Sequence, residues 1–151
     1  MTSAVAQVLS PEFVLEWPQS KERIRGAERF ARMNSEYPAH GRWSFTINRL
    51  VGSESEAVSD VTVTDGTQTA RAISFFTVVQ GKIVLLVEFW PESYEPPANR
   101  AHLSYSIRKW RVPILSPRFR KTSMQQQMPS AVVTALLRIS SLAIHVLSDR
   151  A

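Results

Sequence analysis

The sequence predicts an α+β protein in which a helix packs on one face of an antiparallel β-sheet. Four consecutive segments alternate apolar and polar residues, which is the spacing of half-buried strands, and a segment before them has apolar residues at helical spacing. Short turn signals separate the strands. Strands joined in this way pair antiparallel, and a helix that precedes them can cover one face of the sheet.

The first elements of the chain are short. Residues 13–18 and 22–26 are predicted as two strands that pair as a small hairpin, and Pro18 stops the first of them. A helix is predicted over 26–38, with Phe30 on its apolar side. It ends there because a proline disfavours the helical conformation of the residue before it.

Four long strands are predicted next. They cover residues 42–51, 57–64, 67–79 and 82–90. Asp65-Gly66 joins the second of these strands to the third, and Gln80-Gly81 joins the third to the fourth. Asp-Gly between two alternating segments is a strong signal for a hairpin.

The composition narrows the class of protein. The 151 residues suggest one domain, and there are no cysteines, which excludes disulfides, thiolate metal sites and cysteine nucleophiles. The start of the chain lacks the pattern of a signal peptide, and no apolar run reaches the roughly 20 residues of a membrane-spanning helix. We therefore expect a cytoplasmic protein. The histidines lack ligand spacing, so neither a metal site nor a cofactor is predicted.

The charge is unevenly distributed along the chain. Residues 1–99 carry a net charge of −3, whereas residues 100–151 carry +8. We interpret the change as a boundary between a domain at 12–107 and a basic C-terminal extension at 108–151. Within the extension a helix is predicted over 131–147.

Two sequence stretches resemble the SnoaL-like domains of the NTF2-like (nuclear transport factor 2-like) superfamily. "FVLEWPQSKERIRGAERF" is similar to the early part of these domains. "VTVTDGTQTARAISFFTVVQGKIVLLVEFWPESYEPPANRAH" is similar to their last long strands, and within it the words "DGT", "F-x-V-x-x-GKI" and "VEFWPE" carry the resemblance. The similarity covers roughly residues 12–105.

The resemblance implies an NTF2-like cone, in which helices pack on a curved antiparallel sheet and enclose a pocket. Relatives of this kind include ketosteroid isomerases, limonene-epoxide hydrolases and polyketide cyclases, and many form homodimers through the sheet. Only about a dozen residues precede Phe13, so the N-terminal helices of the family are expected to be truncated. A fold shared by so many activities does not itself supply a function.

The catalytic positions of the family are occupied by other residue types. By resemblance, Trp17 stands where an isomerase has its general base, and Ser74 stands where isomerases and cyclases have an acidic donor. A serine is no proton source near neutral pH. Glu88 and Glu16 are the remaining candidates for a base. The alternative for both residues is a charged side chain at the rim or interface of the sheet. In that alternative Glu88 pairs with an arginine.

Several other residues are candidates for ligand binding. Trp17, Trp43 and Trp90 are suited to a flat or apolar ligand, and their alternative role is core packing. Asn48, Asp60 and Ser74 are candidate polar anchors, and Asn48 and Asp60 have solvent exposure as the alternative.

The function that these observations predict is binding of a small hydrophobic molecule in a cone-shaped pocket. Whether the protein is an enzyme is left open. The first alternative is an isomerase, cyclase or epoxide hydrolase that uses a pocket carboxylate. The second is binding of nucleic acid or an anionic membrane through the basic extension. The extension could instead be a disordered segment without a partner, or its helix could cover the sheet.

Overall fold

A computed structural model describes residues 7–37 and 40–103 of the chain. They form one curved sheet of six strands, which is not closed, with a helix on its inner face. The strands are β1 (Leu9–Trp17), β2 (Glu22–Arg25), β3 (Ser44–Gly52), β4 (Glu56–Thr64), β5 (Thr69–Val79) and β6 (Lys82–Phe89). The helix α1 spans Ala27–Glu36, and a 3₁₀ helix spans Ala98–Leu103. The predicted α+β class is confirmed.

The strand order is β2-β1-β6-β5-β4-β3. The β1–β2 hairpin and the antiparallel meander β3–β6 agree with the sequence prediction. One pairing differs from it, because β1 and β6 run parallel and the sheet is therefore mixed. The chain leaves the hairpin through α1, starts the meander at the far edge, and returns strand by strand until β6 lies beside β1.

Apolar side chains between α1 and the sheet form the core. Phe13 is fully buried, and its ring meets that of Phe30 edge to face with a centroid separation of 5.3 Å. Leu15, Leu86 and Ile83 are also buried against the same cluster. Burial of each such side chain contributes about 1.5–3 kcal/mol to folding, so these residues hold the helix on the inner face.

Two turns differ in their chemistry. Gln80 and Gly81 both have positive φ angles, of 50° and 73°, and Val79 pairs directly with Lys82, so these residues form a two-residue type I′ hairpin. At Asp65-Gly66 the predicted turn is a longer loop, residues 65–68. The buried Asp65 carboxylate accepts the backbone N–H groups of Thr67 and Gln68 and that of His40, and these bonds lower its pKa.

Bulges interrupt the alternation of β3 and β6. In β3 Ile47 pairs with Val61 and Arg49 pairs with Asp60, so Asn48 is an extra residue in the ladder. Strict alternation would turn Arg49 toward the inner face. The bulge places Leu50 there instead, as the lining described below shows.

No helix in the described ranges is long and apolar enough to cross a membrane. The basic extension at 108–151, with the helix predicted over 131–147 and the boundary at 107, lies outside the described residues. So do residues 1–6, where most of the chain before β1 lies.

Candidate functional site

A cavity of about 520 Å³ lies between α1 and the inner face of the sheet. This is within the size range of small-molecule sites. Its walls are mostly aromatic and aliphatic, and the aromatic lining consists of Trp17, Phe30, Tyr37, Trp43, Phe45, Phe76 and Trp90. All three tryptophans predicted from the sequence to contact a ligand therefore face one cavity.

Glu88 is the carboxylate at the centre of a hydrogen-bond cluster in this cavity. Its Oε2 accepts the indole N–H of Trp17 at 2.9 Å and that of Trp90 at 3.0 Å. Its Oε1 accepts the hydroxyl of Ser74 at 3.0 Å. Four residues that the sequence identified separately are thus brought into one group.

The strand pairing explains why these residues meet. Glu88 and Ser74 are direct partners in the β5–β6 ladder, so their side chains project from the same face. Trp90 is two residues beyond Glu88 and shares that face. Trp17 comes from the end of β1, where the parallel pairing sets Glu16 beside Val87. The parallel pair that the sequence did not predict is what brings Trp17 to the carboxylate.

The electrostatics of Glu88 depend on the lack of a cation beside it. Within the described chain no ion pair involves Glu88, and the three groups that donate to it, on Trp17, Ser74 and Trp90, are neutral. Burial raises the pKa of Glu88, and the hydrogen bonds from Trp17, Ser74 and Trp90 oppose that rise only in part. The carboxyl group is therefore poised to exchange a proton closer to neutral pH than an exposed glutamate.

The cluster leaves one position open on Glu88. An ionised carboxylate has about four acceptor positions, and the three donors occupy one on Oε1 and two on Oε2. The remaining position, on Oε1, can accept a donor from a ligand. A proton added to Oε1 can in turn be donated to Ser74, whose hydroxyl both donates and accepts. Both protonation states of Glu88 can therefore be satisfied.

The position of Glu88 differs from that expected of a rim charge, and its role as a base stays a prediction. A rim charge paired with an arginine would lie at the surface beside a cation. The structure instead shows a partly buried carboxyl group that lines an apolar cavity beside Trp90.

Glu16, Asn48 and Asp60 lie elsewhere. Glu16 pairs with Arg23 across the β1–β2 hairpin, with Nη2 to Oε1 at 2.6 Å, and it is absent from the cavity lining. Asp60 is on the outer face, where the guanidinium of Arg71 binds both of its oxygens. Asn48 donates to Asp60 and to Thr62 there. An Asp-Arg pair therefore exists, but it is on the side of the sheet away from the cavity.

Sequence reasoning missed several residues of the site. Gln19 holds Trp90 in place, since its Oε1 accepts the backbone N–H of Trp90 at 2.6 Å and its Nε2 donates to the backbone carbonyl at 3.2 Å. Ser59 and Ala72 form part of the cavity floor. The two floor residues could have been found from the alternation of β4 and β5, whereas the Gln19 contact depends on a loop conformation that no pattern specifies.

The chain is similar to a known domain family and to solved structures. A model of the SnoaL-like domain matches residues 2–86 of the chain. No match to a curated protein reaches significance. Among solved structures, a candidate ketosteroid isomerase from Kribbella flavida is 35% identical, with a TM-score of 0.62, over 68% of this chain and 75% of that one.

Two further solved structures support the fold. An NTF2-like protein of unknown function from Burkholderia xenovorans is 21% identical, with a TM-score of 0.54, over 66% of this chain and 77% of that one. Another from Mesorhizobium loti is 16% identical, with a TM-score of 0.50, over 60% and 77%. The match to the domain model covers more than half of the chain, and the similarity to the Kribbella protein covers 68% of it at 35% identity. The chain belongs to the SnoaL-like domain family, with an NTF2-like fold.

Proposed function

We propose that this protein binds a small, mostly apolar molecule in the cavity and that a hydrogen-bond donor of the ligand contacts Oε1 of Glu88. The observation that carries the proposal is a partly buried carboxylate in an aromatic cavity, held by three neutral donors and with one acceptor position open. Apolar walls supply affinity, and a single placed polar group supplies orientation.

The test compares tetralin with tetrahydronaphthol, which differs from it by one hydroxyl. Binding of both compounds to the full chain is measured by calorimetry, for the wild type and for Glu88→Gln. The glutamine oxygen can still accept both indole N–H groups and its NH₂ can donate to Ser74, so the variant keeps the cluster but loses the open acceptor on the Ser74 side.

We expect the wild type to bind tetrahydronaphthol about tenfold more tightly than tetralin, because a hydrogen bond to a charged group is worth about 1.5–3 kcal/mol. Glu88→Gln should weaken this preference, because its second amide N–H can form only a neutral hydrogen bond with the hydroxyl oxygen, and it should keep its affinity for tetralin. Equal affinity of the wild type for the two compounds would contradict the role of Glu88.

A second candidate function is proton-transfer catalysis by Glu88 on a hydrophobic substrate, as an isomerase, cyclase or epoxide hydrolase. The raised pKa of Glu88 and its open Oε1 favour it, because a general base works best with a pKa near the operating pH. The similarity to a candidate ketosteroid isomerase makes isomerisation of an unsaturated ketosteroid the first reaction to assay. Turnover that survives in Glu88→Gln would exclude Glu88 as the base.

We also propose that two copies associate through the outer face of the sheet. Phe75 is 45% exposed and Val79 52% exposed on this face, and Phe75 packs edge to face on Phe89 with a centroid separation of 6.0 Å. Sedimentation of the wild type and Phe75→Glu tests the proposal. A monomer for both proteins would rule it out.

The remaining sequence predictions stay predictions. Binding of nucleic acid or anionic membrane through 108–151 is tested by salt-dependent binding with and without that segment. The cytoplasmic location is tested by fractionation of cells.

A further inference from the structure

Ser59 is a serine on the cavity floor whose hydroxyl is not engaged by the described part of the protein. It lies on β4, it is 5% exposed, and it belongs to the cavity lining. Its hydroxyl makes no hydrogen bond with any residue of the described ranges. A hydroxyl that lines an apolar cavity and is not engaged by the protein can donate a hydrogen bond to an oxygen of a ligand.

The strand register places Ser59 next to the Glu88 cluster. Ser59 is the direct partner of Ser74 in the β4–β5 ladder, and Ser74 is the direct partner of Glu88 in the β5–β6 ladder. Side chains of directly paired residues lie about 5 Å apart. Glu88, Ser74 and Ser59 therefore form a polar row across the cavity floor.

Apolar residues flank this row on both sides. Phe76 and Ala57 are paired along one side, and Ala72 and Val61 are paired along the other. All four residues are buried, and the two alanines keep the floor shallow. The row is therefore a narrow polar strip in an apolar surface, which suits a flat ring system with oxygen atoms along one edge.

The hydrogen bonds already made in the row decide which partner Ser59 needs. The hydroxyl hydrogen of Ser74 is donated to Glu88, as are the indole hydrogens of Trp17 and Trp90. The hydroxyl hydrogen of Ser59 is the donor in this row that is not committed. Glu88 supplies an acceptor at one end of the row, and Ser59 supplies a donor at the other.

We infer that Ser59 is a second polar anchor of the cavity, which donates to a carbonyl-type oxygen of a ring ligand whose hydroxyl lies on Glu88. The inference rests on the proposed function and narrows its ligand class. The ligand is a flat hydroxy-carbonyl compound whose two oxygen atoms reach from β6 to β4, a separation of up to two strand spacings, roughly 10 Å. The residue determines specificity for an acceptor oxygen and takes no part in proton transfer.

The experiment compares tetralin, α-tetralone and tetrahydronaphthol on the full chain, by calorimetry. We expect the wild type to bind α-tetralone about fivefold more tightly than tetralin, the effect of one neutral hydrogen bond. Ser59→Ala should abolish this preference and leave tetralin binding unchanged. Ser59→Thr, which keeps a hydroxyl, should restore it.

Thermal unfolding without ligand separates loss of a contact from loss of the fold. Ser59→Ala should melt at about the same temperature as the wild type, because the hydroxyl makes no hydrogen bond with the described residues that the substitution could remove. A ketone preference that persists in Ser59→Ala, or that is absent from a wild type which still prefers tetrahydronaphthol, overturns the inference and leaves the proposed function intact.

The two proposals fail in different ways. A ketone preference that depends on Ser59, without any preference for tetrahydronaphthol, supports the role of Ser59 and contradicts that of Glu88. Failure of all three compounds to bind at millimolar concentration contradicts both, since neither anchor would then face a usable cavity.

Discussion

The two faces of the sheet each carry a clustered carboxylate, and the two groups behave in opposite ways. On the inner face Glu88 is bound by two indoles and a hydroxyl, and burial raises its pKa. On the outer face the hydrogen bond from Arg71 lowers the pKa of Asp60. Both carboxylates are well supplied with donors, so the number of hydrogen bonds does not explain the difference.

The difference lies in the charge of the donors. The guanidinium of Arg71 compensates the charge of Asp60, and the pair is stable as ions. The donors to Glu88 orient its carboxyl group but leave the charge uncompensated, so that a proton is the means by which the group can become neutral. A fixed ion pair is suited to holding strands together, whereas an oriented and uncompensated carboxyl group is suited to a ligand.

The largest expected effect is the pH dependence of stability that Glu88 imposes. Because the pKa of Glu88 is raised in the folded state, its contribution is fully present below the unfolded pKa of about 4.3 and is lost as the pH rises through the folded value. The free energy of unfolding of Glu88→Gln should therefore equal that of the wild type near the unfolded pKa. At alkaline pH it should exceed that of the wild type by roughly 1–3 kcal/mol. Urea unfolding across the pH range measures this. A constant difference would show that burial does not control Glu88.

Asp60→Asn is expected to change the stability of the protein in the opposite direction. Its pKa is lowered, so its contribution is present above the unfolded pKa of about 3.9 and is lost as the pH falls through the folded value. At neutral pH the substitution should destabilise the protein by about 1–2 kcal/mol, discounted because Arg71 is partly exposed. The same urea series measures it, and a gain in stability would refute the assignment of a structural ion pair.

Trp17→Phe tests whether the hydrogen bond from a neutral donor lowers the pKa of Glu88. The substitution removes one N–H from Oε2, so the pKa of Glu88 should rise further, by the equivalent of about 1 kcal/mol. Carboxyl-carbon NMR follows the titration. Trp43→Phe is the matched control, because Trp43 lines the same cavity and contacts Tyr37 rather than Glu88. Equal shifts in the two variants would point to polarity of the cavity rather than to the hydrogen bond.

Glu16→Gln should have the smallest effect. The side chain is 31% exposed and Arg23 is 53% exposed, and such surface pairs contribute about 0.2–1 kcal/mol. We expect a change of stability within that range and unchanged binding of tetrahydronaphthol. Loss of binding in Glu16→Gln would instead support the sequence hypothesis that Glu16 serves the pocket.

The elements of the fold were predictable where the pattern is local. Alternation identified β3 to β6, and the Gln80-Gly81 turn followed from residues that tolerate positive φ. Alternation also placed Glu88 on one face with Leu86 and Trp90. The bulge at Asn48 was not predictable, because an extra residue leaves no mark on a pattern that is read along a single strand.

The assembly of the site required contacts between residues that are distant in sequence. Trp17 and Glu88 are 71 positions apart, and they meet through the parallel β1–β6 pair. The sequence identified Trp17 and Ser74 as replacements at catalytic positions and Glu88 as a separate candidate. Only the register shows that both replacements donate to Glu88. Composition and periodicity carry no information on such a pairing.

The bulge in β3 affects how this strand tolerates changes of length. Ile47 and Leu50 both line the cavity although they are three positions apart, and Asn48 is the residue that breaks the alternation between them. Deletion of Asn48 would restore a regular ladder and keep both side chains on the cavity side. Deletion of Thr46 would instead turn the side chains on one side of the deletion to the opposite face of the sheet. Length variation among relatives should therefore be concentrated at the bulge, where a residue can be gained or lost without changing the surface that a ligand meets.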